Sequence, residues 1–383
     1  MWRVLGPGLT VAGLLIAAGM YLFGDFTFAS LDPPERDLVA AGGLTAGGLT
    51  AGGLTAGDLT AGGLASNASA AGDDAVQTFA GDLGRHSSVR QTGLQTVAGK
   101  SPKRPATIRI ATFNIKQFGP KKAADPQVMR HIATLISRFD VVAIQEVHGA
   151  EAEPIRALVQ ELRRGGASYA GTVSERIGAG QRYSESYAFV WNRRTVEMIA
   201  GSDYLVADPG GRMARQPMAC SFRCRGSIDD NRQPFSFTLI NVHTSPSQVA
   251  DNALLNEMDV LDDVYLSIAE YSAATLAEDD IILLGDLNVD ADHLRQLGQI
   301  PNLRSIGGLT PTNLKGTKVY DHILINAGPT AEHTGNSGVV DVTGVLSIDM
   351  QIAETISDHR PVWAEFQTTE AGQRTASTTR IIR

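Results

Sequence analysis

Apolar residues are distributed along this chain in three successive patterns. The first is a single run over residues 4–23 with no charged side chain. Its length of about 20 residues matches the hydrocarbon thickness of a bilayer. Arg3 precedes the run and Asp25 follows it, an asymmetry that predicts a cytoplasmic N-terminus with the remainder outside. Small residues around Thr27-Phe28-Ala29 make a cleaved signal peptide the alternative. The run is longer than a usual signal core, so residues 1–24 are expected to form an uncleaved signal-anchor. Either reading exports the rest of the chain: membrane-anchored with an extracytoplasmic domain, or secreted after cleavage.

The second pattern is a five-residue repeat, Ala-Gly-Gly-Leu-Thr, over residues 41–64, with Asp58 replacing one glycine. A leucine every five positions fits neither the helical nor the strand period, and paired glycines raise the entropic cost of order. Residues 25–106 are therefore expected to act as a flexible spacer.

The third pattern begins at Thr107. Short apolar runs recur at residues 108–113, 141–145, 187–191, 237–242, 281–284, 322–325 and 362–366, each of strand length. Between them, Val128, Ile132, Leu135, Ile136 and Phe139 form one helical stripe, and Leu254, Met258, Leu261, Val264, Tyr265 and Ile268 another. Many strands with a few longer helices predict an α+β fold: two packed, mainly antiparallel β-sheets flanked by helices, a four-layer α/β/β/α sandwich over residues 107–368. The polar, basic residues 369–383 are expected to be a disordered tail.

Composition narrows the function. Of 383 residues, 43% are hydrophobic and 19% charged, enough for a sizeable core. The net charge of -8 excludes a protein that coats nucleic acid non-specifically, because neutralising phosphates takes a surplus of Lys and Arg. It leaves room for an enzyme that meets one phosphodiester with a local basic patch and a metal ion. Cys220 and Cys224 are too few for a disulfide framework. Along one strand they stand too far apart to bond each other, so they read as buried apolar residues.

Candidate chemistry sits where the strands end. Asn114, Glu146, His243, Asp286 with Asn288, Asp321, and Asp358 with His359 all flank the apolar runs. One such residue alone is usually a turn or cap residue. Eight residues in order, gathered at six strand ends, are what a site on one rim of a sheet sandwich needs. Glu146 and Asn114 offer hard oxygen ligands suited to Mg²⁺, with Mn²⁺ an alternative. His243 and His359 can divide acid and base work near neutrality, and Glu185 and Asp321 are natural carboxylate partners for them. His86, His131, His293 and His322 are expected to be non-catalytic. On its strand, His322 should face away from Asp321.

The strings IRIATFNIKQFG, DVVAIQEV, ESYAFVWN, LINVHTSPS, LLGDLNVD, VYDHILIN and ISDHRPV resemble, in order, the signature blocks of the endonuclease/exonuclease/phosphatase superfamily, deoxyribonuclease I-like branch. The resemblance spans about residues 107–366. It implies metal-dependent phosphodiester hydrolysis, endonucleolytic on double-stranded DNA, by a monomer. It implies that Glu185 pairs with His243 and Asp321 with His359. Asp286, Asn288 and Asp358 would complete the phosphate and metal environment. Arg215 matches a phosphate-contacting arginine and Tyr183 an aromatic that packs in the minor groove. His148 departs from the branch, standing where an arginine reaches into that groove. The branch's calcium-stabilising loops are not recognisable, so a Ca²⁺ requirement is not implied. A phosphoinositide phosphatase or sphingomyelinase-type lipid phosphodiesterase on the same scaffold is the alternative, and an inactive binding module a third reading.

Overall fold

The computed structural model describes residues 27–28, 106–150, 152–178, 184–225 and 232–371. Tyr183, His86, the five-residue repeats and residues 372–383 lie outside them. So does the apolar run at residues 4–23.

Each of the seven apolar runs lies in a strand: β2 (Thr107–Phe118), β3 (Val141–Val147), β5 (Ser186–Asn192), β9 (Ser236–His243), β10 (Ile281–Asp286), β12 (Asp321–Asn326) and β14 (Val362–Gln367). Shorter or more polar strands complete the set: β1 (Thr27–Phe28), β4 (Tyr169–Val173), β6 (Val196–Met198), β7 (Tyr204–Ala207), β8 (Met218–Cys224), β11 (Leu303–Ser305) and β13 (His333–Val339). One sheet has eight strands in the order β1-β7-β8-β9-β10-β12-β11, with β6 also paired to β8; the other has six, β13-β14-β2-β3-β5-β4. Each sheet holds one parallel pair, β9 with β10 and β2 with β3, and its other pairs are antiparallel. The two-residue β1 pairs with β7, so part of the expected spacer extends a sheet edge.

Alternation along the strands builds the layers. Phe237 and Leu239 of β9, Ile282 and Leu284 of β10, Ile108 and Ile110 of β2, and Tyr187 and Phe189 of β5 pack between the sheets. Ile240 and Val242, with Ile281 and Leu283, face the helix α4 (Met258–Leu276). The opposite faces of β2, β3 and β5 receive α2 (Pro126–Ile136) and α3 (Glu153–Arg164), with α5 (Val342–Leu346) and α6 (Met350–Ile356) beside them; a single turn, α1 (Pro120–Ala123), precedes α2. The result is the expected four-layer sandwich. α2 begins where Asp125 accepts from the backbone of Gln127 and Val128 at 2.9 and 3.1 Å, with Pro126 at its first position, where a missing N–H costs nothing.

Three expectations need correction. The first concerns attachment to a membrane through residues 4–23, the signal-anchor reading, and the membrane-anchored location drawn from it. No helix among the described residues is long and apolar enough to cross a membrane, and residues 4–23 lie outside them. Second, the stripe drawn from Leu254 starts later. Residues 249–256 form a loop, Leu254 is fully exposed, and Asn256 Oδ1 accepts from Met258 N at 3.0 Å as α4 begins. Third, Phe139 follows α2 rather than belonging to it, although it packs in the same core. Cys220 and Cys224 are free and buried on β8, as expected.

Gly285 stands next to last in β10, in a backbone conformation that few residues adopt. Its φ is +151°, and a Cβ there would sit 1.8 Å from the Val242 carbonyl oxygen of the neighbouring parallel strand. That conformation is open essentially to glycine alone. Gly285→Ala should therefore destabilise the fold by about 3 kcal/mol, read as a lowered urea midpoint. An unchanged midpoint would show that β9 and β10 tolerate separation here.

Candidate active site

The columns that fill the space between the sheets change character toward one rim. On β9 the series runs Phe237, Leu239, Asn241, His243; on β10, Ile282, Leu284, Asp286; on β2, Ile108, Ile110, Thr112, Asn114. Apolar contacts give way to neutral polar groups and then to ionisable ones. Register sets the last row: His243 pairs with Asp286 across the parallel ladder, and Asp286 with Asp321 across the antiparallel one. The three side chains thus stand side by side at the strand spacing of about 4.8 Å.

Below that row lies a buried amide layer. Gln145 Nε2 donates to Asn241 Oδ1 at 2.7 Å and to Thr112 Oγ1 at 3.0 Å. Asn241 Nδ2 reaches the carbonyls of Ile144 and Ala188 in the other sheet, each at 3.2 Å. This layer joins the two sheets directly beneath that ionisable row. Sequence reading passed over it, because an amide inside an apolar run carries no sign of what it faces.

Two imidazole–carboxylate pairs flank one carboxylate. His243 Nδ1 lies 2.9 Å from Glu185 Oε1, and His359 Nδ1 lies 2.8 Å from Asp321 Oδ2. An ionised carboxylate only accepts, so each Nδ1 carries its proton and each Nε2 is left to face the site. Both Nε2 atoms face Asp286 Oδ2, at 3.7 Å from His243 and 3.6 Å from His359. Burial works against charge on His243, but Glu185 and Asp286 outweigh it and raise its pKa. Burial opposes charge on His359 as well; Asp321 and Asp286 overcome it and push the group up to about 10. Burial raises Asp286, against the opposing pull of the imidazoles.

Asn114 connects this group to Glu146. Its Nδ2 donates to Asp286 Oδ2 at 3.0 Å and to Glu146 Oε1 at 3.1 Å, and Gln117 N donates to Glu146 Oε2 at 2.8 Å. Strand alternation alone would send Glu146 to the opposite face from Gln145. An irregularity in the β3 ladder, with Glu146 at φ 61°, turns it toward Asn114. Burial disfavours its charge, but Gln117 N–H, the two histidines and Asn114 keep its pKa lowered.

Asn114 Oδ1 is buried without a hydrogen-bond partner, beside the oxygens of Glu146 and Asp286. Such an orphan acceptor within a set of hard oxygens fits a divalent cation. One ligand atom each from Asp286, Asp321 and His359 also lies within 4.8 Å of the others. The site thus has the capacity to hold a divalent cation.

The remaining expected residues divide. Arg215 is buried, with Nε 3.0 Å from Glu185 Oε2 and Nη1 donating to the His243 and Thr244 carbonyls at 3.3 and 3.4 Å. Asn288 N donates to Asp286 Oδ1 and Asn288 Nδ2 to the Thr244 carbonyl, both at 3.0 Å. Asp358 is drawn elsewhere: Lys116 Nζ donates to its Oδ2 at 2.7 Å, and its side chain is 44% exposed. Tyr183 lies outside the described residues. His148 donates its backbone N–H to the Phe118 carbonyl. His322 turns to Ser305 Oγ and the Val289 carbonyl, away from Asp321, as expected.

Supporting residues also appear that the strand-end pattern did not single out. Ser357 Oγ donates to the Asn114 carbonyl at 2.7 Å and accepts from His359 N at 3.0 Å. Thr312 Oγ1 donates to Asp321 Oδ2 at 2.6 Å. Tyr187 Oη accepts from His243 N at 2.7 Å, and Glu257 accepts from Ala214 N and Ser245 N at 2.7 and 2.6 Å. A cleft of about 240 Å³ opens beside Asn288, lined by Val249, His293, Lys318 and Tyr320 among others.

Residues 111–359 match the Endonuclease/Exonuclease/phosphatase family. The chain is 26% identical over 273 residues to deoxyribonuclease-1-like 2 of Mus musculus, covering 68% of this chain and 92% of that protein. It is 28% identical over 284 residues to a deoxyribonuclease of Thioalkalivibrio sp. (strain K90mix), covering 68% of this chain and 72% of the relative. Among solved structures, an endonuclease/exonuclease/phosphatase family protein from Bacteroides thetaiotaomicron superposes with a TM-score of 0.46 at 15% identity, over 68% of this chain and 98% of that one. Family, fold and buried acid–histidine cluster together support a metal-dependent phosphodiesterase site. The chain belongs to the endonuclease/exonuclease/phosphatase family.

Proposed function

We propose that residues 107–368 cleave DNA endonucleolytically, as a Mg²⁺-dependent phosphodiesterase in which His243 and His359 share the proton transfers. The observation that carries this reading is the pair of imidazoles facing Asp286, each locked at Nδ1 by its own carboxylate.

Phosphodiester hydrolysis needs a proton taken from water, a proton given to the leaving oxygen, and relief of charge at phosphorus. His243 and His359 supply the first two. Glu185 and Asp321 hold the rings in one tautomer and favour the imidazolium that forms. Asp286 and Asn288 orient groups around the phosphate. Arg215, held against Glu185 and the His243 carbonyl, fixes the loop after β9 and adds positive charge beneath the phosphate. Glu146, Asn114 Oδ1 and Asp286 would hold the cation, which when bound supplies Lewis-acid neutralisation of the phosphate oxygens. Tyr183 remains the proposed minor-groove contact. The similarity to deoxyribonucleases supports DNA over other phosphodiesters.

A parallel assay on supercoiled plasmid, RNA and phospholipid vesicles tests the assignment. Plasmid should be nicked in Mg²⁺, and EDTA should stop the reaction. Release of phosphate or phosphocholine from lipid, with plasmid and RNA intact, would move the assignment to lipid phosphodiesters.

A further inference from the structure

A second group of carboxylates lies at the far end of the strands from the catalytic row. Asp280 immediately precedes β10, Glu332 immediately precedes β13, and Glu370 follows the end of β14. β10 runs from Ile281 to Asp286, so its length separates this group from the catalytic carboxylate by about 20 Å.

One carboxylate oxygen from each of Asp280, Glu332 and Glu370 lies within 4.8 Å of the other two. Asp280 and Glu332 are each only 2% exposed. Backbone donors meet part of the demand: Ser236 N donates to Glu370 Oε1 at 3.0 Å, and Ala371 N donates to Glu332 Oε1. Glu278 is close by, accepting from Asp280 N at 2.8 Å. The charged groups that act most strongly on Asp280 are Glu332, Glu278 and Glu370, all of its own sign, and Arg223 acts on Glu278. Among the described residues, no Lys, Arg or His forms an ion pair with Asp280, Glu332 or Glu370.

An independent observation lies in the atoms left over. Asp280 Oδ1 and Glu332 Oε2 are both buried without a hydrogen-bond partner, and the Thr330 hydroxyl, in a residue 2% exposed, lies against Asp280 short of a hydrogen bond of full geometry. A buried carboxylate oxygen left in this way is costly, and a bound cation is one group that satisfies it.

We propose that Asp280, Glu332 and Glu370 form a structural Ca²⁺ site, with the Thr330 hydroxyl at its edge, distinct from the catalytic centre. All the donors are hard oxygens. Ca²⁺ accepts six to eight of them in flexible geometry, whereas Mg²⁺ demands a compact octahedron and keeps its waters. The ion would clamp three segments far apart in sequence: the start of β10, the approach to β13 and the chain beyond β14.

The test uses the full chain at neutral pH, with thermal unfolding compared in millimolar CaCl₂ and in EGTA. Saturating Ca²⁺, on the order of 100 times the Kd, should raise Tm by about 5–10 °C. Glu146→Gln should keep that shift, because it alters only the catalytic site. Asp280→Asn combined with Glu332→Gln should remove it. No shift in the unmodified chain, or an equal shift in the double variant, would overturn the proposal. If the double variant does not fold, hydrogen exchange of the unmodified chain decides. Ca²⁺ should slow exchange about tenfold or more at residues 278–281, 330–333 and 367–371. Protection confined to the neighbourhood of Glu146, or none at all, would overturn the site.

Discussion

His243→Ala and His359→Ala should each lower the rate of plasmid nicking by about 100- to 10,000-fold, the usual contribution of a general acid or base. The structure gives little reason to expect unfolding from the loss of either ring. His243 is held at Nδ1 by Glu185, which also pairs with Arg215. His359 is held by Asp321, which also accepts from Thr312. Each carboxylate therefore keeps a partner when its imidazole is removed. Far-ultraviolet circular dichroism should be unchanged in both variants, and the double variant should fall well short of the product of the single losses, because the two rings serve one reaction. A single variant that nicks plasmid within tenfold of the unmodified rate would remove that histidine from the proton transfers.

Asp286→Asn should lower activity by about 100- to 1,000-fold, the scale of losing one preorganised electrostatic group. It should also leave a signature that a merely structural residue would not. Asp286 is a shared source of negative charge for both imidazoles. His359 without metal sits at about 10, so at neutral pH it carries its proton. Removing the negative charge makes that proton easier to lose, and the His359 pKa must fall. Proton NMR titration of the imidazole resonances in EDTA would read the change. An unaltered His359 titration in Asp286→Asn would mean that Asp321 alone sets the ring's charge.

The architecture was legible because β3, β5, β9, β10 and β12 are buried on both faces and therefore write near-continuous apolar runs, while β2 and β14 keep enough apolar positions to show a strand. β13 wrote nothing of the kind: its sequence His-Thr-Gly-Asn-Ser-Gly-Val is polar and mostly half-buried, and it is a strand because β14 offers it an edge. The site was legible because the strand ends that carry Glu146, His243, Asp286 and Asp321 gather at one rim. Glu146 shows the limit. Alternation points it away from the site, and only the ladder irregularity brings it back. Asp358 shows another, since the pull of Lys116 comes from a residue 242 positions away. The acidic group at Asp280 was invisible for the same reason: its three members belong to separate segments, and only folding assembles them.

The two imidazole–carboxylate pairs have a mechanical consequence. His243 ends a strand of the eight-stranded sheet, and its partner Glu185 stands just before β5 of the six-stranded one; His359 approaches β14 of the six-stranded sheet, and its partner Asp321 opens β12 of the eight-stranded one. Each pair spans the seam, and they span it in opposite senses. A slide of one sheet across the other by an ångström or two would stretch both bonds at once while leaving every ladder hydrogen bond intact. Catalytic competence is thus a gauge of sheet alignment. Under mild denaturant, turnover should fade while the strands persist, and the amide layer of Gln145 and Asn241 is the latch that holds the gauge at zero.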